Sequence, residues 1–148
     1  MFNDTVTIFN RQSSRSGSIW YPTVLHNVNL NIDKSAIIAK YGANSNDAAI
    51  LNVHFQKDGP DIYVDGKIWK PPVEWTNSID KASVVTFASG QQFDFFWFGE
   101  WPDTNPVDDS DCGDNFYQYM KDNYDFVFAI TAVGGPYTVI PHFEIMGR

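Results

Sequence analysis

Hydrophobic and polar residues alternate through much of the first 33 residues of the chain. A short apolar run at 4–9 is followed by a polar segment at 11–18 and a longer run at 20–33. In the longer run, His26 shares its parity with four apolar residues: Val24, Val28, Leu30 and Ile32. A period of two predicts a strand with one buried face and one face in water, as in antiparallel sheets. His26 is therefore expected on the apolar face of a half-covered strand.

Three later segments also predict strands. The segment 48–55 places every second residue on a single face: Leu51, Val53 and Phe55. The segment 62–69 predicts a tight hairpin, because the Asp-Gly pair at 65–66 suits the positive φ angles of a two-residue turn. The segment 93–98 is apolar on both parities apart from Asp94, which predicts a strand covered on both sides.

The stretch 100–114 is rich in proline and aspartate and predicts a loop. A short helix is predicted near 114–124, where apolar residues recur at helical spacing: Phe116, Tyr117, Met120 and Tyr124. Asp111 or Asp114 is its expected N-cap.

The last part of the chain returns to strand patterns at 126–132 and 138–145, with a turn expected at 134–136. Pro141 cannot donate a hydrogen bond to a ladder, so it predicts an edge strand or an irregular terminal arm. Such an arm, 141–148, could add a strand to an adjacent subunit.

These elements predict one domain, 1–148, with seven or eight strands and one short helix. Strands dominate and no βαβ rhythm is present, so the fold class is mainly β, as a compact antiparallel β-barrel or sandwich. The net charge of −8, without a Lys/Arg-rich run, argues against a general nucleic-acid binder. No signal-peptide pattern and no apolar run of membrane-spanning length is visible, so a soluble protein of the cytoplasm or of a particle assembled there is expected.

Metal and cofactor sites are not predicted. A calcium loop fails, because placing Gly113 at its glycine puts Cys112 and Tyr119 at ligand positions. Two interpretations of the acidic loop stay open. It is either a solvated loop whose negative charges interact favourably with the dipole at the start of the helix, or an irregular cation site drawn from Asp103, Asp108, Asp109, Asp111 and Asp114. His26, His54 and His142 fall on separate predicted strands and do not form a zinc pattern.

Catalysis is not predicted either. No serine lies in a Gly-x-Ser-x-Gly elbow, and aspartates around Cys112 would raise its pKa. A hydrolase built on paired carboxylates from Glu74, Asp94 or Glu100 stays open as an alternative, because their separation depends on tertiary structure. Trp75 and Trp101 lie beside prolines, where core packing competes with a sugar-stacking or protein-contact surface.

The order of these motifs resembles small virion proteins of tailed phages and prophages of Gram-positive bacteria. The residues that carry the resemblance are Asp4-Thr-Val-Thr-Ile-Phe-Asn10, then Trp20 and Thr23-Val-Leu-His-Asn-Val28, then the segments 93–106, 115–124, 130–135 and 141–147. Two positions depart from the pattern. Gly134-Gly-Pro136 replaces a polar turn, and Phe143 stands where an indole is expected.

The resemblance implies a head-completion or minor capsid protein of the phage neck, similar to head-closure proteins between portal and tail. It implies a small β-barrel that works as a ring of identical copies, contacts portal or adaptor and tail proteins, and meets packaged DNA only transiently and non-specifically. The expected location is the virion, assembled in the host cytoplasm, with no membrane partner and no catalytic residue. The alternatives are a tail-completion or terminator protein and a carbohydrate-binding module that uses exposed Trp and Tyr side chains.

Loops are where a rigid β body presents contacts to partners. Arg11 and Arg15 are the natural cations to meet an acidic neighbour. The full set of predicted partner-contact residues is Arg11, Arg15, Trp20, Trp75, Trp101, Asp108, Asp109, Pro141 and Phe143.

Overall fold

The structure is a computed structural model that describes residues 2–32 and 49–148. Its strands are β1 Asp4–Ser14, β2 Gly17–Ile32, β3 Ala49–His54, β4 Gln56–Asp58, β5 Asp61–Val64, β6 Lys67–Trp69, β7 Val84–Val85, β8 Phe95–Trp97, β9 Val107–Asp108, β10 Val127–Tyr137 and β11 His142–Gly147. Its helices are α1 Pro72–Asn77 and α2 Phe116–Asn123, with short 3₁₀ turns at Lys81–Ser83 and Asp109–Cys112. No helix in these described ranges is long and apolar enough to cross a membrane.

Most strands belong to one antiparallel sheet with the order β1-β8-β10-β11-β3-β2-β9. Because β1 also pairs with β2, six of these strands form a closed ring of hydrogen-bonded neighbours. A second sheet has the order β4-β5-β6-β7, and its β6–β7 pairing is parallel. The mainly antiparallel β class predicted from the sequence is confirmed.

Both faces of the central strands are buried, and each face belongs to a different core. Ile8 and Phe96 lie in a core to which all six ring strands contribute, whereas Phe9 and Phe95 lie in a second core that includes Phe116 of α2. Successive residues of a strand point to opposite faces, so a strand with two covered faces is apolar on both parities. The prediction of a strand covered on both sides is confirmed for Phe95–Trp97, whereas Phe98 at the end of the predicted segment is exposed.

The alternation in β2 is interrupted by a β-bulge. Asp4 pairs with Val28 but Val6 pairs with Leu25, and Asn27 between them has a φ of 58°. The extra residue shifts the parity of the strand, so that Leu25 is buried and His26 is exposed. The prediction that His26 lies on the buried face is therefore wrong.

Local turn chemistry agrees with the sequence prediction at the β5–β6 hairpin and differs from it at helix α2. Val64 pairs with Lys67 across the Asp65-Gly66 turn, as predicted. At α2 the N-cap is Asn115, whose Oδ1 accepts a hydrogen bond from the N–H of Gln118 at 3.1 Å. The prediction of an aspartate cap is wrong, because the residue in the capping position is the asparagine that follows Asp114.

The end of the chain lies inside the sheet. Strand β11 pairs with β10 on one side and β3 on the other, so the prediction of an edge strand or terminal arm is wrong. Pro141 precedes β11 and its carbonyl accepts a hydrogen bond from the N–H of Phe55 at 3.2 Å. The predicted turn at 134–136 lies within β10, and the chain reverses instead between Tyr137 and His142.

Candidate functional site

The candidate site is centred on Arg11, which lies near the outer end of β1. Its guanidinium carbon lies 4.4 Å from the ring centroid of Trp20 and 4.5 Å from that of Phe93, so the cation is held between two aromatic rings. Such contacts strengthen when the cation is partly desolvated. Burial lowers the pKa of Arg11, and the carboxylates of Asp109 and Asp94 oppose that shift.

Asp94, on one side of Arg11, is a fully buried carboxyl group that accepts three hydrogen bonds. Its Oδ1 accepts from the backbone N–H of Arg11 at 2.8 Å, and its Oδ2 accepts from Asn10 Nδ2 and the N–H of Ala88, both at 2.9 Å. Asn10 also donates to the carbonyl of Thr86 at 2.6 Å. Burial raises the pKa of Asp94 to about 7, although these donors and Arg11 act in the opposite direction. Asp94 thus joins β1 to the 86–94 segment.

Asp109 is a second buried carboxylate near Arg11. Its Oδ1 accepts from the indole N–H of Trp20 at 2.7 Å and from the N–H of Phe116 at 2.9 Å. Its Oδ2 accepts from the N–H of Ser18 at 3.0 Å. Asp109 connects the 100–114 loop to β2 and to the first turn of α2, so its role within the folded chain is structural.

A cavity opens beside Arg11. It lies between the end of β1, the 86–94 segment, helix α1 and strand β10, and its lining includes Arg11, Asp94, Thr86, Trp75, Phe87 and Val133. Three of these residues hold a buried polar atom without a hydrogen-bond partner: Arg11 Nε, Trp75 Nε1 and Thr86 Oγ1. Buried polar groups are usually hydrogen-bonded, so this concentration of unpaired groups distinguishes the cavity from other parts of the described chain.

The structure brings some predicted contact residues together and separates others. Arg11, Trp20 and Asp109 meet in the arrangement described above, and Trp75 lines the adjoining cavity. Trp20, Trp75, Asp109 and Phe143 are buried, and each packs or hydrogen-bonds within the chain.

The remaining predicted contact residues reach the surface to different degrees. Arg15 and Pro141 are exposed, while Trp101 and Asp108 are partly buried. Trp101 packs edge-on against Phe9. Asn10, Thr86 and Asp94 complete the site and were not among the predicted contacts. Asp94 had a visible signal, as the one charged residue in an otherwise apolar strand, but Asn10 and Thr86 had none.

The predicted acidic loop and the histidines do not form a metal cluster in the part of the chain that the structure describes. There, no group of three or more His, Cys, Asp or Glu side chains is placed to hold a metal ion. Asp103 and Asp108 instead accept hydrogen bonds from nearby N–H groups, which for Asp108 lowers its pKa. His26 Nδ1 lies 2.9 Å from Asp65 Oδ2, and this hydrogen bond raises the pKa of His26.

Comparison with known proteins places the chain in a family and gives no activity. No match to the chain was found among the curated proteins or among the solved structures. One family model matches residues 1–148, and it describes a family of unknown function, DUF6751. The chain belongs to the DUF6751 family.

Proposed function

We propose that this protein is a non-catalytic structural subunit of a tailed-phage neck, which forms a ring of identical copies between the portal or its adaptor and the tail. The proposal places the protein in the virion, after assembly in the host cytoplasm. The resemblance of the ordered motifs to phage virion proteins motivates it.

The β10–β11 hairpin is the observation that carries the proposal. At its tip Val139 is 96% exposed and Ile140 is 65% exposed, and Tyr137 beside them is also exposed. Exposed apolar patches on a folded protein mark interaction sites. A subunit of an assembly is expected to have such a surface.

The charge distribution also supports a contact at this hairpin. The chain has a net charge of −8, but residues 126–141 contain no Asp, Glu, Lys or Arg. Copies of an acidic protein repel one another over most of their surface. An uncharged, apolar tip lets two acidic proteins approach without bringing like charges together.

The test asks whether the protein assembles with its proposed neighbours in the particle. The purified chain is mixed with the portal or adaptor protein of the same virion and analysed on a sizing column and by negative-stain electron microscopy. We expect co-migration and a ring of the chain's own copies on the portal complex. Failure to co-migrate with either protein, together with absence from purified particles by mass spectrometry, would contradict the proposal.

A matched pair of variants links the test to the hairpin tip. Val139→Asp introduces a charge at the tip and is expected to abolish co-migration. The control, Ile79→Asp, introduces the same charge at a fully exposed apolar residue elsewhere and is expected to keep co-migration. Co-migration of the chain with tail proteins in place of the portal would assign it to the tail-completion class. Of the two indoles for which core packing and a sugar-stacking surface were both open, Trp75 is buried against Tyr21 and under Lys81, which does not favour the carbohydrate-binding alternative.

A further inference from the structure

The hydrogen-bonding capacity of Arg11 is largely unused within residues 2–32 and 49–148. A guanidinium has five N–H donors. The side chain of Arg11 makes one long hydrogen bond, from Nη1 to the carbonyl of Gln91 at 3.5 Å, and it forms no ion pair in the described ranges. The two rings that hold it fix its position without satisfying these donors.

The neighbouring carboxylates do not act as its direct partners. Asp94 is occupied by Asn10 and by two backbone N–H groups, and Asp109 is occupied by the Trp20 indole and two backbone N–H groups. Both act on Arg11 through their charge. The guanidinium is therefore oriented and electrostatically supported, with donors still available. This is the state in which an arginine recognises an external acceptor.

The lining of the cavity beside Arg11 indicates which kind of molecule carries this acceptor. Its polar lining includes Thr86, Ser89 and Gln92, and its apolar walls are formed by Trp75, Phe87, Val133, Pro72 and Val73. Apolar walls with a few convergent polar groups are typical of sites that bind an amphipathic ligand. A free inorganic anion would leave the apolar walls without a partner.

We infer that this cavity is a binding site for a carboxylate side chain carried on an apolar segment of a partner protein. Arg11 binds the carboxylate, and the walls formed by Val73 and Val133 contact the flanking apolar residues. A monoanion fits this site better than a doubly charged phosphate, because the negative charge of Asp94 in the same lining repels the doubly charged group more strongly. The inference does not depend on the neck assignment, since any partner with this segment would bind.

The test is a titration followed by NMR of the side-chain N–H groups of Arg11 and Trp75. Two peptides are compared, Ac-Val-Glu-Val-NH2 and its neutral counterpart Ac-Val-Gln-Val-NH2. We expect the glutamate peptide to shift both resonances and to bind roughly 10 to 100 times more tightly than the glutamine peptide, because a hydrogen bond to a charged group contributes about 1.5–3 kcal/mol. Equal affinity for the two peptides, or no shift with the glutamate peptide at ~10 mM, overturns the inference.

Variants and free anions provide the controls. Arg11→Gln is expected to remove the preference for glutamate, while Arg15→Gln, an exposed arginine on the same hairpin, leaves it unchanged. If Arg11→Gln does not fold, the comparison of the two peptides on the unaltered chain still decides the question. Acetate or inorganic phosphate binding as tightly as the glutamate peptide would show a simple anion site and contradict the inference.

Discussion

The two long hairpins of the molecule, β1–β2 and β10–β11, present opposite chemistry at their ends. The β1–β2 hairpin carries polar residues, but Arg11 is held between rings and only the tip around Arg15 is exposed. The end of the β10–β11 hairpin lies within residues 126–141, which contain no Asp, Glu, Lys or Arg, yet its tip residues Val139 and Ile140 are exposed. A buried polar residue or an exposed apolar patch is more informative than the reverse. In each hairpin the informative residues are therefore the exceptions, which are the partly buried cation Arg11 in one and the exposed apolar residues Val139 and Ile140 in the other.

The largest effect is expected where the β1–β2 hairpin is tied to the rest of the chain. Asp109→Ala leaves three buried donors, from Ser18, Trp20 and Phe116, without an acceptor. Leaving one buried donor without its acceptor typically costs about 1–3 kcal/mol, so three such donors are expected to cost at least about 3 kcal/mol. We expect a loss of that size in the free energy of unfolding, measured by urea denaturation.

Asp108→Ala is the matched control for this prediction. Asp108 is adjacent in sequence, but its carboxylate only accepts hydrogen bonds from the N–H and hydroxyl groups of Ser110. Its loss should change stability much less. Equal destabilisation by the two substitutions would show that Asp109 does not anchor the hairpin.

The second prediction concerns the pH dependence that Asp94 gives to the same hairpin. Its pKa is about 7 in the folded chain against 3.8 as the ordinary value, because burial disfavours the charged form. A group whose pKa is raised by folding stabilises the fold fully below its unfolded pKa, and this stabilisation is lost as pH rises through the folded pKa. The contribution of Asp94 should therefore fall between about pH 4 and pH 8, by on the order of a few kcal/mol.

Asp94→Asn isolates this contribution from other titrating groups. The variant cannot ionise, so the difference between its unfolding free energy and that of the unaltered chain should change between about pH 4 and pH 8 and be constant above that range. The variant also places an amide donor where Asn10 and two backbone N–H groups now donate, which should cost about 1–3 kcal/mol at pH 5. A difference that stays constant from pH 5 to pH 9 would mean that Asp94 does not titrate in this range.

The sequence predicted the parts of the molecule that depend on local pattern. The Asp65-Gly66 turn and the doubly covered strand around Phe95 follow from turn chemistry and from the parity of apolar residues. The bulge at Asn27 could not be predicted in the same way, because one inserted residue reverses the parity while the composition of the strand stays the same.

The candidate site was predicted only in part, for a related reason. Arg11 was visible as a cation in a polar segment, but its contacts with Phe93 and Asp94 join residues about 80 positions apart in the chain. Likewise, Pro141 suggested an edge strand by its missing N–H, although the chain places it just before a central strand. A pattern within one segment does not determine which distant segment packs against it.

The smallest effect on stability is expected at the tip of the β10–β11 hairpin, and this sharpens the contrast between the hairpins. Val139→Asp and Ile140→Asp alter exposed side chains, and surface substitutions usually change stability by no more than about 0.5 kcal/mol. Thermal unfolding of both variants should therefore match that of the unaltered chain, while the association tested with the portal is lost. A marked loss of stability would show that the tip is held by contacts within the chain, and it would then no longer be available as a surface for assembly.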